Sequence, residues 1–275
     1  MIPVHKGGDR SLVTYYRPVS LTSVICKQME HVITSYLRQV WDKNDWLYEG
    51  QHGFRPGYSC ESQVISVCQD FADSLDNGEK VDAIIGDFSK AFDLVPHGRL
   101  LDKISNSGVD ARVVVWIREF LSGRTQRVRV DGKLSEEVSV TSGVPQGSVL
   151  GPILFLAYVN DISRNMESTI RLFADDCVIY RTIIKPEDMD KLQRDLDRLG
   201  EWATENAMKI NPGKSKAIRF TRARTTVSLS YSLMGKIIPQ TSSCKYLGII
   251  LRSDLSWADQ VNYTVKRHGK HYTLQ

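Results

Sequence analysis

Apolar residues recur at two spacings along the chain, and each spacing predicts a different kind of element. From Ser23 to Trp41 they return every three or four positions, which predicts a helix with Thr22 or Ser23 as its N-cap. The almost wholly apolar segment 148–160 predicts a buried helix. Helical spacing predicts further helices over 60–75, 98–106, 111–121 and 186–206.

Strand-like alternation fills much of the remaining chain. The run VDAIIGDFS predicts a strand that ends at Asp87. The dipeptide Asp131-Gly132 predicts one β-hairpin, and STIRLFADDCVIYR predicts another with Asp175 and Asp176 at its turn. Further strands are predicted over 216–220, 227–233 and 245–251. This succession indicates an α+β fold, with an antiparallel sheet and helices on one side of it.

Composition narrows the class of protein. A formal net charge of +4 is mildly basic and compatible with a polyanionic partner. Five cysteines without a CxxC pair argue against a disulfide framework or a zinc site. No signal peptide is visible, and the longest mostly apolar stretch, 149–159, is too short to span a bilayer. We therefore expect an intracellular protein without a membrane partner.

Asp87 and Asp175 each end an apolar strand, and this is the pattern that suggests chemistry. Burying a carboxylate is costly unless it is paired, hydrogen-bonded or bound to a metal. Two such strand ends can lie side by side in an antiparallel sheet, where carboxylates favour Mg²⁺. Two ions roughly 3.5 to 4 Å apart can serve an in-line phosphoryl transfer. The alternative is that each carboxylate merely caps a turn or meets an arginine.

Seven motifs, in order, resemble those of reverse transcriptases, most closely the enzymes of non-LTR (LINE-type) retrotransposons. The run FADD from Phe173 is similar to the catalytic motif, and IIGDFSKAFDLVPH around Asp87 is similar to the motif of the first catalytic aspartate. The other five are YRPVSL, GQHGFRPGYS, SGVPQGSVLGPILF, NPGKSKAIRF and CKYLGIIL. The match covers nearly the whole chain.

The resemblance implies a fold and an activity. It predicts a polymerase palm with an antiparallel sheet and packed helices over 81–252 and helical and strand fingers over 1–80. Residues 253–275 would be a truncated start of the thumb or a tail, so the thumb is largely missing and the duplex would be held weakly. The implied activity is that of an RNA-directed DNA polymerase, a nucleotidyltransferase that adds dNTPs to a DNA primer on an RNA template. Its implied cofactor is Mg²⁺, as two ions, with Mn²⁺ as a substitute. The nucleus is a plausible location for the family, and the oligomeric state is not predicted.

The resemblance also implies roles for individual residues. Asp87 and Asp175 would be the principal metal ligands, with Asp176 close by and the carbonyl of Phe88 as a further ligand. Arg17 and Lys6 would contact the incoming triphosphate. The remaining implied roles are Gln146 and Gly147 beside the nucleotide, Phe92 against a ribose 2′-hydroxyl, Lys214 or Lys216 as proton donor to pyrophosphate, Gly53, Phe54 and Arg55 at the template, and Tyr246, Leu247 and Gly248 at the primer end.

Several alternatives stay open. Arg17, Lys6 and Lys214 can also be explained as solvated surface cations, VPQG as a simple turn, and Phe92, Tyr246 and Leu247 as ordinary core residues. The whole chain could be a catalytically idle nucleic-acid-binding relic of a retrotransposon, although all three aspartates are present. An RNA-dependent RNA polymerase or an intron maturase would share the aspartates, and Phe92 argues against the former.

Overall fold

A computed structural model describes the backbone of residues 1–223 and 228–269 and the side chains of 1–223 and 228–266. It contains eight α-helices and fourteen strands within these residues, mixed along the chain. The helices are α1 (Val24–Lys43), α2 (Cys60–Asp76), α3 (Ala91–Leu94), α4 (His97–Ser105), α5 (Ala111–Leu121), α6 (Leu150–Val159), α7 (Pro186–Glu205) and α8 (Ala258–Gly269). A short 3₁₀ turn covers Val13–Tyr15.

The strands pair in antiparallel fashion throughout. Four of them form one sheet, and the others form two-stranded ribbons. The strands are β1 (Ile2–His5), β2 (Tyr16–Val19), β3 (Lys80–Asp87), β4 (Thr125–Gln126), β5 (Arg129–Val130), β6 (Lys133–Leu134), β7 (Val138–Ser139), β8 (Thr169–Phe173), β9 (Asp176–Ile183), β10 (Lys216–Phe220), β11 (Ser232–Leu233), β12 (Lys236–Ile237), β13 (Ser243–Tyr246) and β14 (Ile249–Arg252).

The predicted helices all form, and the local signals that start them act as expected. Ser23 caps α1, because its hydroxyl accepts a hydrogen bond from the Cys26 N–H at 3.1 Å. Asp131 and Gly132 both have positive φ angles between β5 and β6, as the hairpin prediction requires. The α+β architecture is therefore confirmed, but the helices do not lie on one side of the sheet. Helix α2 packs on the face of Val81 and Ala83. Helix α7 lies on the face of Asp82, whose partner Arg219 contacts Met189.

Two predicted strands in the last third of the chain are wrong. The segment predicted as one strand over 245–251 is a hairpin, with β13 and β14 joined by Leu247 and Gly248. The strand predicted over 227–233 is reduced to β11, while 228–231 is irregular and Val227 lies outside the described residues.

Helix α1 exposes part of its apolar surface. Its buried residues include Ile33, Leu37 and Trp41, whereas Val24 and Ile25 are 75% and 81% exposed. Helical spacing in the sequence therefore identified the element but not which apolar residues face the core. In the part of the chain that the structure describes, none of the helices combines the length and the apolar character needed to cross a membrane.

The chain divides into two compact units, and each is described by itself. The first unit comprises 1–49, 90–162 and 206–208. In it α6 packs against α1 and α4, and every residue of α6 except Pro152 is buried. This explains why its sequence is apolar all round, since no face of the helix meets water.

The second unit comprises 50–89, 163–205 and 209–275 and is built on the four-stranded sheet β10-β3-β9-β8. Helix α2 packs on one face, where Phe71 contacts the rings of Tyr180 and Phe220. Helix α7 contacts β9. Residues 81–84 of β3 are buried at both parities, as expected for a central strand covered on both faces.

A buried polar network ties β3 to β10. Arg219 donates two hydrogen bonds to the Asp82 carboxylate at 2.6 Å each, and the Tyr231 hydroxyl donates a third at 2.7 Å. Asp82 is completely buried, so these three donors offset the desolvation of its charge. The network fixes the register of the strand that ends at Asp87.

Candidate active site

Asp87 and Asp176 lie directly opposite each other at one end of the central sheet. In the antiparallel register of β3 and β9, Asp87 is the Cα partner of Asp176. Directly opposed residues carry their side chains on the same face of a sheet. Asp175 stands with Ala174 in the two-residue turn that joins β8 to β9. The fold thus brings Asp87, Asp175 and Asp176 to the same end of the sheet, and the residue opposite Asp87 is Asp176, not Asp175.

The chemistry of these donors fits a Mg²⁺ ion. Asp87 and Asp175 are half-buried and Asp176 is exposed, so water and substrate can reach the carboxylates. Within residues 1–223 and 228–269, no group of three or more carboxylate, imidazole or thiol side chains is placed to hold a metal by itself. Mg²⁺ suits such a site, because it takes only one or two protein carboxylates and completes its shell with water and substrate phosphates.

The backbone of Asp87 is fixed by residues 209–215. Its N–H donates to the buried Ser215 hydroxyl at 3.2 Å, and its carbonyl accepts from the Asn211 N–H at 2.8 Å. Phe88 forms an antiparallel bridge with Ile210, and the flanking residues make the hydrogen bonds. In that pattern the carbonyl of Phe88 points away from Ile210, toward the edge where β9 begins.

The two candidate lysines lie on either side of Ser215. Lys214 is exposed, and its N–H donates to the Asn211 carbonyl at 3.1 Å. Lys216 begins β10 as the Cα partner of Ile85, which shares a strand face with Asp87. Both lysines therefore belong to a segment bonded to the Asp87 backbone, and the choice between them as proton donor stays open.

Residues 50–53 hold the turn that carries Asp175. Gln51 is buried and accepts from the Ala174 N–H at 2.9 Å and from the Gly53 N–H at 2.7 Å. A Cβ on Gly53 would stand 2.3 Å from the Ala174 nitrogen, so only glycine fits there. Gln51 contributes to the site without having been predicted, because a glutamine in a loop gives no periodic or charge signal.

Of the other two predicted template residues, Phe54 is exposed and Arg55 is half-buried. Phe54 is 45% exposed and has a positive φ angle of 55°. The Arg55 guanidinium lies over the Tyr58 ring, 4.9 Å from its centroid, and donates to the Gln51 carbonyl at 3.3 Å. The template role of these residues stays a prediction.

The predicted primer-end residues form the tip of the β13–β14 hairpin. Leu247 and Gly248 have positive φ angles of 44° and 93°. Tyr246 is buried in the core of the second unit, where its hydroxyl accepts from the Gln63 amide at 3.2 Å, and burial raises its pKa. Tyr246 is therefore a core residue, Leu247 is half-buried against the same core and Gly248 is exposed, and the role of these residues at the primer end stays a prediction.

Arg17 and Lys6 share one face of a ribbon in the first unit. Arg17 in β2 is the Cα partner of Val4 in β1, and Lys6 lies two positions beyond Val4. The pairing continues there, since the Lys6 N–H donates to the Tyr15 carbonyl at 2.7 Å. Both cations are exposed, so together they offer positive charge for a phosphate group.

Gln146 is held on both its backbone and its side chain. Its carbonyl accepts from the Ser20 N–H at 2.7 Å, and its amide donates to Asp93 at 2.9 Å. Gly147 has a φ of 93°, and a Cβ there would lie 2.9 Å from the Ser20 carbonyl oxygen. Phe92 stacks on Phe155 at 4.2 Å between ring centroids.

A cleft of about 540 Å³ adjoins Gln146 within the first unit. Its lining residues include Lys90, Arg124 and Arg127 beside Asp93, and Arg127 forms an ion pair with Glu137 at 3.0 Å. Its size is that of a small-molecule site, and its charge suits an anionic ligand.

Solved structures identify the class of fold first. Apo telomerase from Candida tropicalis, truncated from its C-terminal domain, superposes with a TM-score of 0.58 over 83% of this chain and 44% of that one, at 11% identity. The telomerase of the same organism in complex with a telomeric RNA fragment gives a TM-score of 0.57 over 85% of this chain and 37% of that one, also at 11% identity. The chain therefore shares the fold of these telomerases.

Sequence comparison then identifies the family. Residues 4–251 match the family described as reverse transcriptase (RNA-dependent DNA polymerase). The probable RNA-directed DNA polymerase from transposon X-element of Drosophila melanogaster is 33% identical over 98% of this chain and 31% of its own length. The RNA-directed DNA polymerase from mobile element jockey of Drosophila funebris is 31% identical over 94% of this chain and 29% of its own length. This chain belongs to the reverse transcriptase family, and its relatives are polymerases of non-LTR elements.

The chain spans about a third of the length of these curated relatives. Polymerases of the family generally use divalent metal ions. Both facts bear on what the chain does, since the first limits the comparison to one region and the second agrees with the carboxylates at the end of the sheet.

Proposed function

We propose that this chain is an RNA-directed DNA polymerase that adds dNTPs to the 3′-hydroxyl of a DNA primer on an RNA template. The observation that carries the proposal is the register that sets Asp87 opposite Asp176 beside the turn of Asp175. Carboxylates on neighbouring residues of one sheet end repel one another, and a bound cation would relieve that repulsion. Family membership supports the same activity.

The carboxylates hold two Mg²⁺ ions, for which Mn²⁺ is a substitute. When bound, the ions supply the positive charge that stabilises the attacking and leaving oxygens of the transfer. Asp87 and Asp175 are the principal ligands, and Asp176 and the carbonyl of Phe88 complete the protein's share. The fixed backbone of Asp87 keeps its carboxylate in place, since Ser215 accepts from its N–H and Asn211 donates to its carbonyl.

The remaining residues bind and orient the substrates. Arg17 and Lys6 contact the triphosphate, and Gln146 lies along the base and sugar. Lys214 or Lys216 gives a proton to the departing pyrophosphate. The Leu247–Gly248 turn supports the primer end, and Gly53, Phe54 and Arg55 line the template. The overall positive charge of +4 suits a nucleic-acid partner.

The test is primer extension with the aspartates changed one at a time. Wild-type protein is expected to extend a DNA primer on RNA with dNTPs and Mg²⁺, and to stop when the metal is chelated. Asp87→Asn and Asp175→Asn keep the size of the side chain and remove its charge, so both should abolish extension while leaving the melting temperature nearly unchanged. Asp190→Asn is the matched control, because it removes one exposed carboxylate from α7 in the same unit.

Two outcomes would overturn the proposal. Extension by Asp175→Asn at the wild-type rate would show that the carboxylate is not a ligand. A wild-type protein that binds primer and template but incorporates no nucleotide would indicate the idle, nucleic-acid-binding relic instead.

Phe92 provides a separate test of which sugar is used. Its replacement by valine removes the ring that would meet a ribose 2′-hydroxyl, so incorporation of NTPs should rise relative to dNTPs. An unchanged preference would leave Phe92 as a core residue stacked on Phe155.

A further inference from the structure

A buried carboxylate of helix α1 contacts the start of helix α6. Glu30 is completely buried. Its Oε2 accepts hydrogen bonds from the backbone N–H groups of Val149 and Leu150, at 2.7 Å and 2.9 Å. Its Oε1 accepts from the Cys26 thiol at 3.4 Å. A buried carboxylate needs such donors, and here most come from another segment of the chain.

These two hydrogen bonds complete the capping of α6. The first N–H groups of a helix have no partner inside the helix. The side chain of the N-cap residue, Val149, contains no hydrogen-bond acceptor for these groups. The Gly151 N–H donates to the Ser148 hydroxyl at 2.8 Å, and Pro152 has no N–H. Glu30 therefore accepts the hydrogen bonds of the backbone N–H groups that the local sequence leaves without a partner. Its negative charge also suits the positive end of the helix.

The segment just before this helix start is the one that carries Gln146. Between Gln146 and Val149 lie Gly147 and Ser148, and the Ser148 hydroxyl also donates to the Pro145 carbonyl at 3.0 Å. Because Glu30 fixes the N-terminus of α6, it also fixes the C-terminal end of the segment that carries Gln146. At its other end Gln146 is held by Ser20 and Asp93.

We propose, on the basis of the polymerase function proposed above, that Glu30 is a positioning residue for the dNTP pocket. It acts through the N-terminus of α6 and the segment 146–150 to hold Gln146 in its place. Glu30 does not touch the nucleotide. Its loss therefore weakens dNTP binding and leaves the affinity for primer and template unchanged.

Two variants grade the effect. Glu30→Leu removes both acceptor oxygens and should raise the KM for dNTP by about ten-fold, the size expected for losing a charge-assisted hydrogen bond. Glu30→Gln keeps one carbonyl oxygen for the two N–H groups and should raise it less. In both variants kcat is expected to change much less than KM, because the metal ligands are untouched.

A matched control separates positioning from general stability. Asp195 is also a completely buried carboxylate, and it accepts backbone hydrogen bonds from Glu167 and Ser168 in the second unit. Asp195→Asn should lower the melting temperature as Glu30→Gln does, without changing the KM for dNTP. In a Gln146→Ala background, Glu30→Gln should add no further increase in KM, since both changes act on the same contact.

Amide hydrogen exchange supplies a readout that needs no catalysis. Glu30→Gln should speed exchange at 147–151 and leave 165–169 unchanged, whereas Asp195→Asn should do the reverse. If Glu30→Gln exchanges faster at 147–151 but the wild-type protein extends no primer, Glu30 still holds this segment and the polymerase function is rejected. Unchanged exchange at 147–151, or a KM for dNTP equal to that of wild type in both Glu30 variants, would overturn the positioning role.

Discussion

Adding one methyl group at Gly53 should disable the candidate active site without removing any of its ligands. An alanine Cβ there would lie 2.3 Å from the Ala174 nitrogen and 3.0 Å from the carbonyl carbon of Phe173. Real Cβ atoms essentially never come closer than 3.0 Å to another heavy atom, so residue 53 and the turn at Ala174 must separate by at least the difference of 0.7 Å. The clashing atom is the backbone nitrogen of Ala174, which cannot move aside as the end of a flexible side chain would.

The displaced turn carries Asp175, and this sets the size of the effect. A catalytic group misplaced by about 1 Å costs roughly 100-fold in rate, so we expect kcat to fall by about that factor. Overpacking of this kind costs about 1 to 3 kcal/mol of stability, so most of the protein stays folded if its starting stability is typical. Gly53 does not have a positive φ angle, and the clash is therefore the main cost of the change.

The assay is single-turnover primer extension at saturating dNTP and Mg²⁺, with a thermal melt of each protein. Gly98→Ala is the matched control, since no heavy atom lies within 4 Å of its added Cβ and it sits in helix α4. Alanine should stabilise that helix by up to about 1 kcal/mol and leave the rate unchanged. A Gly53→Ala protein that extends primers as fast as wild type would refute the reasoning, because the turn would then tolerate the shift.

Three further outcomes test the packing and the ionisation states. Tyr231→Phe removes one of three donors to buried Asp82 and should lower the free energy of unfolding by about 1 to 3 kcal/mol in a urea titration, with extension unchanged; an unaffected midpoint would contradict the network. Backbone hydrogen bonds, the strongest of them from the Lys185 N–H, hold the pKa of Asp188 below its usual 3.8. The ionised carboxylate therefore stabilises the folded state above pH 3.8, and this contribution is lost as the pH falls through the lower pKa of the folded state. The unfolding free energies of Asp188→Asn and wild type should therefore differ at pH 7 and converge in acid, and a constant difference would be evidence against this. Burial raises the pKa of Cys244 to about 12, so at pH 8 it should react with a thiol reagent far more slowly than a free cysteine does, and equal rates would show that it is accessible.

The parts of the fold that sequence predicted best are those with a strong local signal. The 3.6-residue period located the helices, and Asp131-Gly132 located a hairpin, because glycine and aspartate readily adopt the positive φ angles that the turn needs. The β13–β14 hairpin was missed for the opposite reason. Its first turn residue is Leu247, a side chain that rarely takes a positive φ, so the run CKYLGIIL reads as one strand.

The candidate site divides in the same way. Acidic residues at strand ends stand out in a sequence, and family motifs name them. Gln51 and Glu30 do not stand out, because their importance comes from backbone N–H groups of distant segments that donate to them. A buried glutamate on a helix looks like a surface residue until the helix start that it caps is known. Which of Asp175 and Asp176 faces Asp87 likewise depends on register, which the hydrophobic pattern does not fix to one residue at a turn.

The pairing of β3 with β9 has a consequence for how the protein is made. Asp87 and Asp176 are 89 positions apart in the sequence and become neighbours only when these strands meet. At roughly 5 to 20 residues per second, a ribosome needs about 4 to 18 s to synthesise the stretch between them. For that interval β3, an apolar strand destined for the middle of the sheet, waits without its partner. The candidate active site can therefore form only after both strands have been synthesised, and a nascent chain that stops before residue 176 lacks Asp176 and the whole of β9.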